Sequence, residues 1–137
     1  MTDYLVDNSV WARLASADPV ITARLRSIER APADLFVTCP PQVLEFCHSA
    51  RTPEEHHHYR EQISLGFPLE RAPDESLVLD IQSALWSAGL VRAAGALDIL
   101  IAGYALANDA TVLTADHDFD HIAAVTDLQH EYIAPTR

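Results

Sequence analysis

Short apolar runs alternate along the chain with longer stretches of helical periodicity, and this alternation predicts the order of the elements. Strands are expected at residues 4–6, 35–38 and 111–114, with weaker candidates at 67–70 and 127–133. Helices are expected from near residue 10, at 19–30, from 40 through 47, at 53–65, from 73 to the stop at Gly89, at 97–107 and at 117–124.

Polar and proline residues mark where several of these helices begin. Asp7-Asn8-Ser9 follows the first strand as a helix cap, and Asp18-Pro19 starts the second helix. Thr52-Pro53-Glu54-Glu55 resembles a capping box. The local start signals therefore agree with the periodicity.

Strands that alternate with longer helices predict an α/β fold with a largely parallel sheet. The 137 residues contain no internal repeat or linker, so we expect a single domain over residues 1–137. In sheets of this kind, functional groups collect outside the carboxyl ends of the strands.

Composition narrows the class of protein. The sequence is 49% hydrophobic and has no apolar run near the roughly 20 residues of a membrane span. Asp3 stands where a signal peptide would carry positive charge, so we expect a cytoplasmic protein without a membrane partner. Cys39 and Cys47 are expected about two turns apart along one helix, too far to bridge, and therefore to be reduced core thiols.

Acidic residues occupy positions where an isolated charge is unfavourable. Asp98 begins an otherwise apolar helix, and Glu45 lies inside another apolar helical run. Asp7 and Asp116 each follow a strand, with Asp118 and Asp120 just beyond the second one. Because Asp7, Glu45, Asp98 and Asp116 fall at the same predicted edge of the sheet, we expect them to line one acidic pocket, with Asp118 in support.

Such a pocket favours a hard divalent cation. Two carboxylates about 4 Å apart repel by roughly 4 kcal/mol at an effective dielectric constant near 20, so the cluster takes up protons or binds cations. Mg²⁺ or Mn²⁺ prefers oxygen ligands, and Mg²⁺ keeps several waters beside one or two carboxylates. The sequence therefore predicts metal-dependent chemistry on a phosphodiester.

The net charge of −11 argues against tight nonspecific binding of nucleic acid. It leaves metal-dependent phosphate chemistry open, because clustered acids become attractive to phosphate once they hold a divalent ion. All nine basic side chains are Arg, which suits bidentate contacts to phosphate or carboxylate. A basic protein partner would also fit this charge.

Four segments together resemble the acidic motifs of PIN-domain ribonucleases, most closely the VapC toxins of bacterial toxin–antitoxin pairs. They are Leu5-Val6-Asp7-Asn8-Ser9-Val10-Trp11, Glu45 in its apolar helix, Leu97-Asp98-Ile99-Leu100-Ile101-Ala102, and Thr114-Ala115-Asp116-His117-Asp118-Phe119-Asp120. The resemblance covers essentially the whole chain and implies a three-layer α/β/α fold with about four to five strands. Asn8 departs from the pattern, because such toxins often have Thr there.

The resemblance implies a Mg²⁺- or Mn²⁺-dependent endoribonuclease that is restrained by a cognate VapB-like antitoxin, as a homodimer or a toxin–antitoxin hetero-oligomer. By position, Asp7 and Asp98 would be the principal metal ligands, with Asp118 as a further ligand. Glu45 and Asp116 would complete the acidic quartet, with Asp116 also near the metal. Ser9 would hold the first acid or a metal-bound water.

Other polar residues are expected outside the pocket. His56, His57 and His58 point in different directions on a helix and are expected at the surface. Asp120 is expected in a solvated turn, and His117 is expected to face solvent or support the acids. Arg92 is left open between a phosphate contact, a pair with an acid and a surface role.

Other functional classes fit less well. A phospho-receiver domain needs a Lys, which this sequence lacks, and a haloacid-dehalogenase-type phosphatase needs Asp where Ser9 stands. There is no Gly-x-Ser-x-Gly elbow and no phosphate-binding glycine-rich loop. The remaining alternatives are a non-catalytic acidic module for a basic partner and another Mg²⁺-dependent phosphate-handling domain.

Overall fold

The computed structural model describes residues 1–136 and has a central sheet with helices on both faces. The strands are β1 (Asp3–Val6), β2 (Leu35–Thr38), β3 (Phe67–Pro68), β4 (Thr111–Thr114) and β5 (Gln129–Tyr132). The helices are α1 (Asn8–Ala15), α2 (Pro19–Arg30), α3 (Pro40–His48), α4 (Pro53–Ile63), α5 (Glu75–Ser87), α6 (Ala96–Ala107) and α7 (Asp118–Val125).

All strand pairs are parallel, and the order across the sheet is β3-β2-β1-β4-β5. Val6 at the end of β1 pairs with Leu113 near the end of β4. Because parallel strands point the same way, the segments that follow β1 and β4 emerge side by side at one edge. The predicted α/β/α fold with a largely parallel sheet is confirmed.

Alternation within the strands divides the core into two layers. Leu5 and Val112 face a cluster built by α5, α6 and α7, which includes Leu85, Ile101 and Phe119. The other face of the same strands packs against α1 and α2; its buried members include Tyr4, Val6, Val10, Ile21, Leu25, Ile28 and Leu113. The sheet is thus covered on both sides, as its apolar strands require.

Helix α6 lies close to α5 because it carries a glycine at the contact. A Cβ atom added at Gly103 would lie 2.9 Å from Val78 Cγ1 and 3.2 Å from Pro73. The small residue therefore lets two helices approach more closely than a side chain would allow, and this packing sets the position of the helix that begins with Asp98.

Local predictions were largely confirmed, with differences at the element ends. α1 begins at Asn8 because Asp7 itself is the N-cap, β3 has two residues, and β5 is shorter than the predicted 127–133. The capping box at Thr52 forms only in part: Thr52 accepts from the Glu55 backbone N–H, whereas the Glu55 carboxylate accepts from the Tyr59 hydroxyl. Both cysteines are buried and free.

Within residues 1–136, no helix combines the length and apolar character needed to cross a bilayer.

Candidate functional site

Asp7 lies at the junction of β1 and α1, and the structure fixes both its backbone and its side chain. Its backbone N–H donates to the Leu113 carbonyl at 2.8 Å, which ties the junction to β4. The residue is 5% exposed and has the extended backbone of a helix N-cap. Asp7 is therefore a carboxylate held at the carboxyl edge of the two central strands.

Three donors converge on one oxygen of this carboxylate. Asp7 Oδ2 accepts from the Ser9 hydroxyl at 2.6 Å, from the Ser9 backbone N–H at 3.3 Å and from the Thr114 hydroxyl at 3.2 Å. None of these bonds goes to Oδ1. The predicted support by Ser9 is thus present as a direct hydrogen bond, and it leaves the second carboxylate oxygen available to a cation.

Thr114 connects the first acid to the loop that carries Asp116. Its side chain is fully buried, and its hydroxyl oxygen accepts from the Asp116 backbone N–H at 3.1 Å. The Ala115 backbone N–H donates to the Ser9 hydroxyl oxygen at 3.0 Å. These hydrogen bonds connect the segments that follow β1 and β4.

Asp98 lies in the first turn of α6, where the helix dipole favours a negative charge. Its surroundings act in the opposite direction and raise its pKa to about 7. Burial is the largest cause, followed by the negative charges of Asp7, Asp118 and Glu45. When protonated, Asp98 also donates a hydrogen bond to Asp118. Asp98 is therefore the most strongly perturbed acid of the cluster.

Glu45 and Asp118 share this environment. Burial raises the pKa of Glu45, and the charges of Asp7 and Asp116 raise it further. Burial also raises the pKa of Asp118, together with the charge of Asp116. The Asp118 backbone N–H donates to Asp116 Oδ1 at 2.9 Å, which folds the loop after β4 towards the cluster. The five predicted acids thus act on one another.

The chemistry of these side chains, but not their present arrangement, suits a divalent cation. Within residues 1–136, the ion pairs involve other groups and none reaches these five carboxylates. No three His, Cys, Asp or Glu side chains in the same range are already arranged to hold one ion. Mg²⁺ suits such a site, because it uses one or two carboxylates and keeps much of its water. A cation there would relieve the repulsion that raises these pKa values.

Asp120 lies in the first turn of α7 with 41% of its side chain exposed. Its carboxylate accepts from His117 Nδ1 at 2.8 Å and from His130 Nε2 at 2.7 Å, and these two partners were not expected from the sequence. These hydrogen bonds lower the pKa of Asp120. Position alone did not separate it from a surface acid, because His130 lies on a strand ten residues further along.

The remaining candidates form no salt bridge with the five acids within residues 1–136. His56, His57 and His58 are exposed on α4, as predicted. Arg92 is exposed in the loop before α6 with a φ of 59°. Its role in the protein stays open.

Sequence reasoning missed two buried polar residues that support the site. Thr114 was included as the end of a strand and as the start of the fourth acidic motif, but its side chain was given no role, although a hydroxyl two residues before an acid is a local signal. Gln42 is 1% exposed, and its side-chain amide donates to the Val6 carbonyl at 2.7 Å. Gln42 lies three residues before Glu45 on α3 and therefore on the same face of the helix. A side-chain amide within an otherwise apolar helix was the signal that could have indicated it.

A separate groove lies between α1, α3 and α4. It has a volume of 510 Å³, and the side chains of Trp11, Phe46 and Tyr59 contribute aromatic surface to it. The indole N–H of Trp11 is buried and has no hydrogen-bond acceptor within the described residues. The groove is thus lined in part by aromatic side chains.

The raised pKa of Asp98 predicts how the stability of the metal-free protein depends on pH. From about pH 4 to 7 the folded state holds a proton that the unfolded state has lost, so the free energy of unfolding falls as pH rises. Asp98→Asn should remove this loss and so stabilise the protein at pH 7.5. After reduction for solvent screening, the expected gain in the free energy of unfolding is about 1 kcal/mol. For a domain of this size, that gain raises Tm by roughly 3–5 °C. Thermal melts in EDTA at pH 4.5 and 7.5 measure it.

The exposed residue Asp80 on α5 provides the matched control, because Asp80→Asn should change Tm equally at both pH values. If Asp98→Asn changes Tm by the same amount at pH 4.5 and at pH 7.5, the prediction is contradicted.

Comparison with known proteins gives a family match and a set of similar folds. A family model described as PIN domain matches residues 4–125. No curated protein matches the chain significantly.

Three solved structures illustrate the structural likeness. VapBC2 from Rickettsia felis, solved with a DNA fragment from its promoter, contains a chain with a TM-score of 0.74, 15% identity, and coverage of 96% of this chain and 98% of that one. VapBC-1 from nontypeable Haemophilus influenzae has a chain with a TM-score of 0.73 and 21% identity, and the match covers 96% of this chain and 98% of that one. VapBC-5 from Mycobacterium tuberculosis is a member of the VapBC family of toxin–antitoxin systems. Its matching chain has a TM-score of 0.67 and 16% identity, and the match covers 97% of this chain and 100% of that one. At these identities the likeness establishes the fold.

Proposed function

Because the chain belongs to the PIN-domain family, we propose that it is a Mg²⁺- or Mn²⁺-dependent endoribonuclease and the toxin of a toxin–antitoxin pair. The observation that carries the proposal is the group of five carboxylates that raise one another's pKa values or supply the charges that do so. A cluster of this kind is unfavourable in the protein alone and favourable around a cation.

Each acid has a role that follows from its surroundings. Asp7 would hold the ion through Oδ1, since its hydrogen bonds go to Oδ2. Asp98 would be the second principal ligand, with Asp116 and Asp118 nearby and Glu45 completing the acidic wall. A bound divalent ion supplies charge neutralisation at the scissile phosphate and lowers the pKa of the attacking water.

Ser9 and Thr114 would be positioning residues in this reaction. Their hydroxyl groups hold Asp7 in one orientation, and the same hydroxyls accept backbone N–H groups of the Asp116 loop. The proposed ligands that follow β1 and β4 are thereby linked by hydrogen bonds before any ion binds. Preorganisation of this kind reduces the rearrangement that binding and catalysis require.

The proposed partner is a cognate VapB-like antitoxin. The net charge of −11 favours a basic partner, and the groove beside Trp11, Phe46 and Tyr59 offers apolar surface for a segment of it. A homodimer or a toxin–antitoxin hetero-oligomer is proposed as the assembled form.

The test is cleavage of a broad set of transcripts by the purified protein. We expect cleavage with Mg²⁺ or Mn²⁺, none in excess EDTA, and suppression by the cognate antitoxin. Undiminished cleavage in EDTA would reject the metal, and absence of cleavage with either ion would favour a non-catalytic acidic module for a basic partner. Cleavage that the antitoxin leaves unchanged would reject the proposed partner.

A further inference from the structure

The imidazole of His117 is held in a fixed orientation by two neighbours. Its Nδ1 atom lies 2.8 Å from Asp120 Oδ2, and its ring stacks on the Tyr132 ring with centroids 4.2 Å apart and planes 27° apart. Asp120 is in turn bound by His130, which lies on the same strand as Tyr132. One edge and one face of the imidazole are therefore occupied.

The rest of the ring is open. The side chain of His117 keeps 67% of its surface exposed although Tyr132 covers one face. The exposed surface must therefore include the second face and the edge that carries Nε2. An aromatic ring that is fixed from behind and open in front is a preorganised stacking surface.

His117 also lies next to the proposed catalytic centre. It separates Asp116 from Asp118, and the Asp118 backbone N–H is bonded to Asp116 within the same turn. Consecutive Cα atoms are about 3.8 Å apart, so a nucleotide bound near these acids has the imidazole within one nucleotide's length.

We propose that His117, backed by Tyr132, stacks on one unpaired base of the RNA substrate beside the bond that is cut. The inference rests on the proposed ribonuclease function and names a substrate-binding position for it. Single-stranded RNA is the ligand that fits, because its unstacked bases bind to aromatic side chains.

The charge of the protein favours this mode of binding. With a net charge of −11, the surface repels the phosphate backbone, and the acidic cluster adds to that repulsion until a cation is bound. Affinity for RNA must therefore come in part from contacts that do not depend on positive charge. Base stacking contributes about 1–3 kcal/mol per base and needs no cationic side chain.

The test uses a cleaved RNA oligonucleotide and a series of copies that each lack one base. For the unmodified protein, one abasic position near the cleavage site should raise KM by roughly 5- to 150-fold, the equivalent of about 1–3 kcal/mol. His117→Ala should raise KM for the intact RNA by a similar factor and should show no further increase with that abasic copy. kcat should change little.

Two further variants separate stacking from hydrogen bonding. His117→Phe keeps an aromatic ring but loses the bond to Asp120, and it should retain a KM near that of the unmodified protein. His117→Gln keeps polar atoms but loses the ring, and it should behave like His117→Ala. His57→Ala is the matched control, because His57 is also exposed and paired with an acid, Glu61, but lies on α4.

The outcomes distinguish this inference from the function on which it rests. If all His117 variants cleave RNA with the same KM as the unmodified protein, the inference that His117 stacks on a base is overturned. The proposed ribonuclease function would then still stand. Loss of binding in His117→Phe with retention in His117→Gln would also overturn it, in favour of a polar contact. Failure of the unmodified protein to cut any RNA would reject the ribonuclease and the stacking surface together.

Discussion

Asp98→Asn should reduce metal-dependent RNA cleavage by at least about 100-fold, a loss of roughly 3 kcal/mol in transition-state stabilisation. The substitution keeps the size of the side chain but removes the charge on the acid that has the most perturbed pKa of the cluster. Asp7→Asn should have a comparable effect, because Asp7 is the buried acid that Ser9 and Thr114 hold in place and that we propose as a ligand. Initial rates at saturating Mg²⁺ or Mn²⁺ measure both.

The controls distinguish loss of chemistry from loss of fold. Asp80→Asn on the exposed face of α5 should cleave RNA at the unmodified rate. The circular dichroism spectra of the inactive variants should match that of the unmodified protein, and Asp98→Asn should not be less stable at neutral pH without metal. Full activity of Asp98→Asn in a folded protein would contradict its role as a ligand.

Phe119→Ala should lower the free energy of unfolding by about 3–5 kcal/mol. Phe119 is 1% exposed and belongs to the buried cluster that contains Leu85, Ile101 and Ile122. It lies between Asp118 and Asp120, so it anchors the start of α7 and the turn that carries the acids. Since domains of this size are stable by about 5–15 kcal/mol, the loss is a large fraction of the total.

Urea unfolding at constant m value measures this effect. Phe119→Leu should cost less, on the order of 1 kcal/mol, because it preserves most of the buried apolar volume. Phe67→Ala removes the same side chain at a position that is 58% exposed, and it should change stability by about 0.5 kcal/mol or less. A loss for Phe119→Ala no larger than for Phe67→Ala would show that the ring does not anchor α7.

The sequence pattern was sufficient for most of the fold because local and long-range signals agree. Asp18-Pro19 marks the start of α2, whose bounds match the predicted 19–30, and the runs at 35–38 and 111–114 are strands as predicted. The edge strands were harder to delimit. β3 and β5 carry fewer buried apolar residues, and pairing with a single neighbour, which no local pattern records, sets their ends.

The resemblance to PIN-domain ribonucleases is confirmed at the level of the family. In the structure, the charges of the predicted acids raise the pKa values of Glu45 and Asp98. Their roles as ligands stay a prediction. The residues that sequence reasoning missed, Thr114 and Gln42, act through hydrogen bonds to groups 107 and 36 residues away. The hydrogen bond between Asp120 and His130 was missed for a related reason, because His130 reaches Asp120 only through the pairing of β4 with β5.

The pairing of β1 with β4 has a consequence for synthesis of the protein. Asp7 leaves the ribosome more than a hundred residues before the hydroxyl of Thr114 and the Asp116 loop. A nascent chain therefore carries Asp7, Glu45 and Asp98 without the strand that orders the first of them. Until β4 is inserted beside β1, we expect the growing polypeptide to lack the proposed ribonuclease activity.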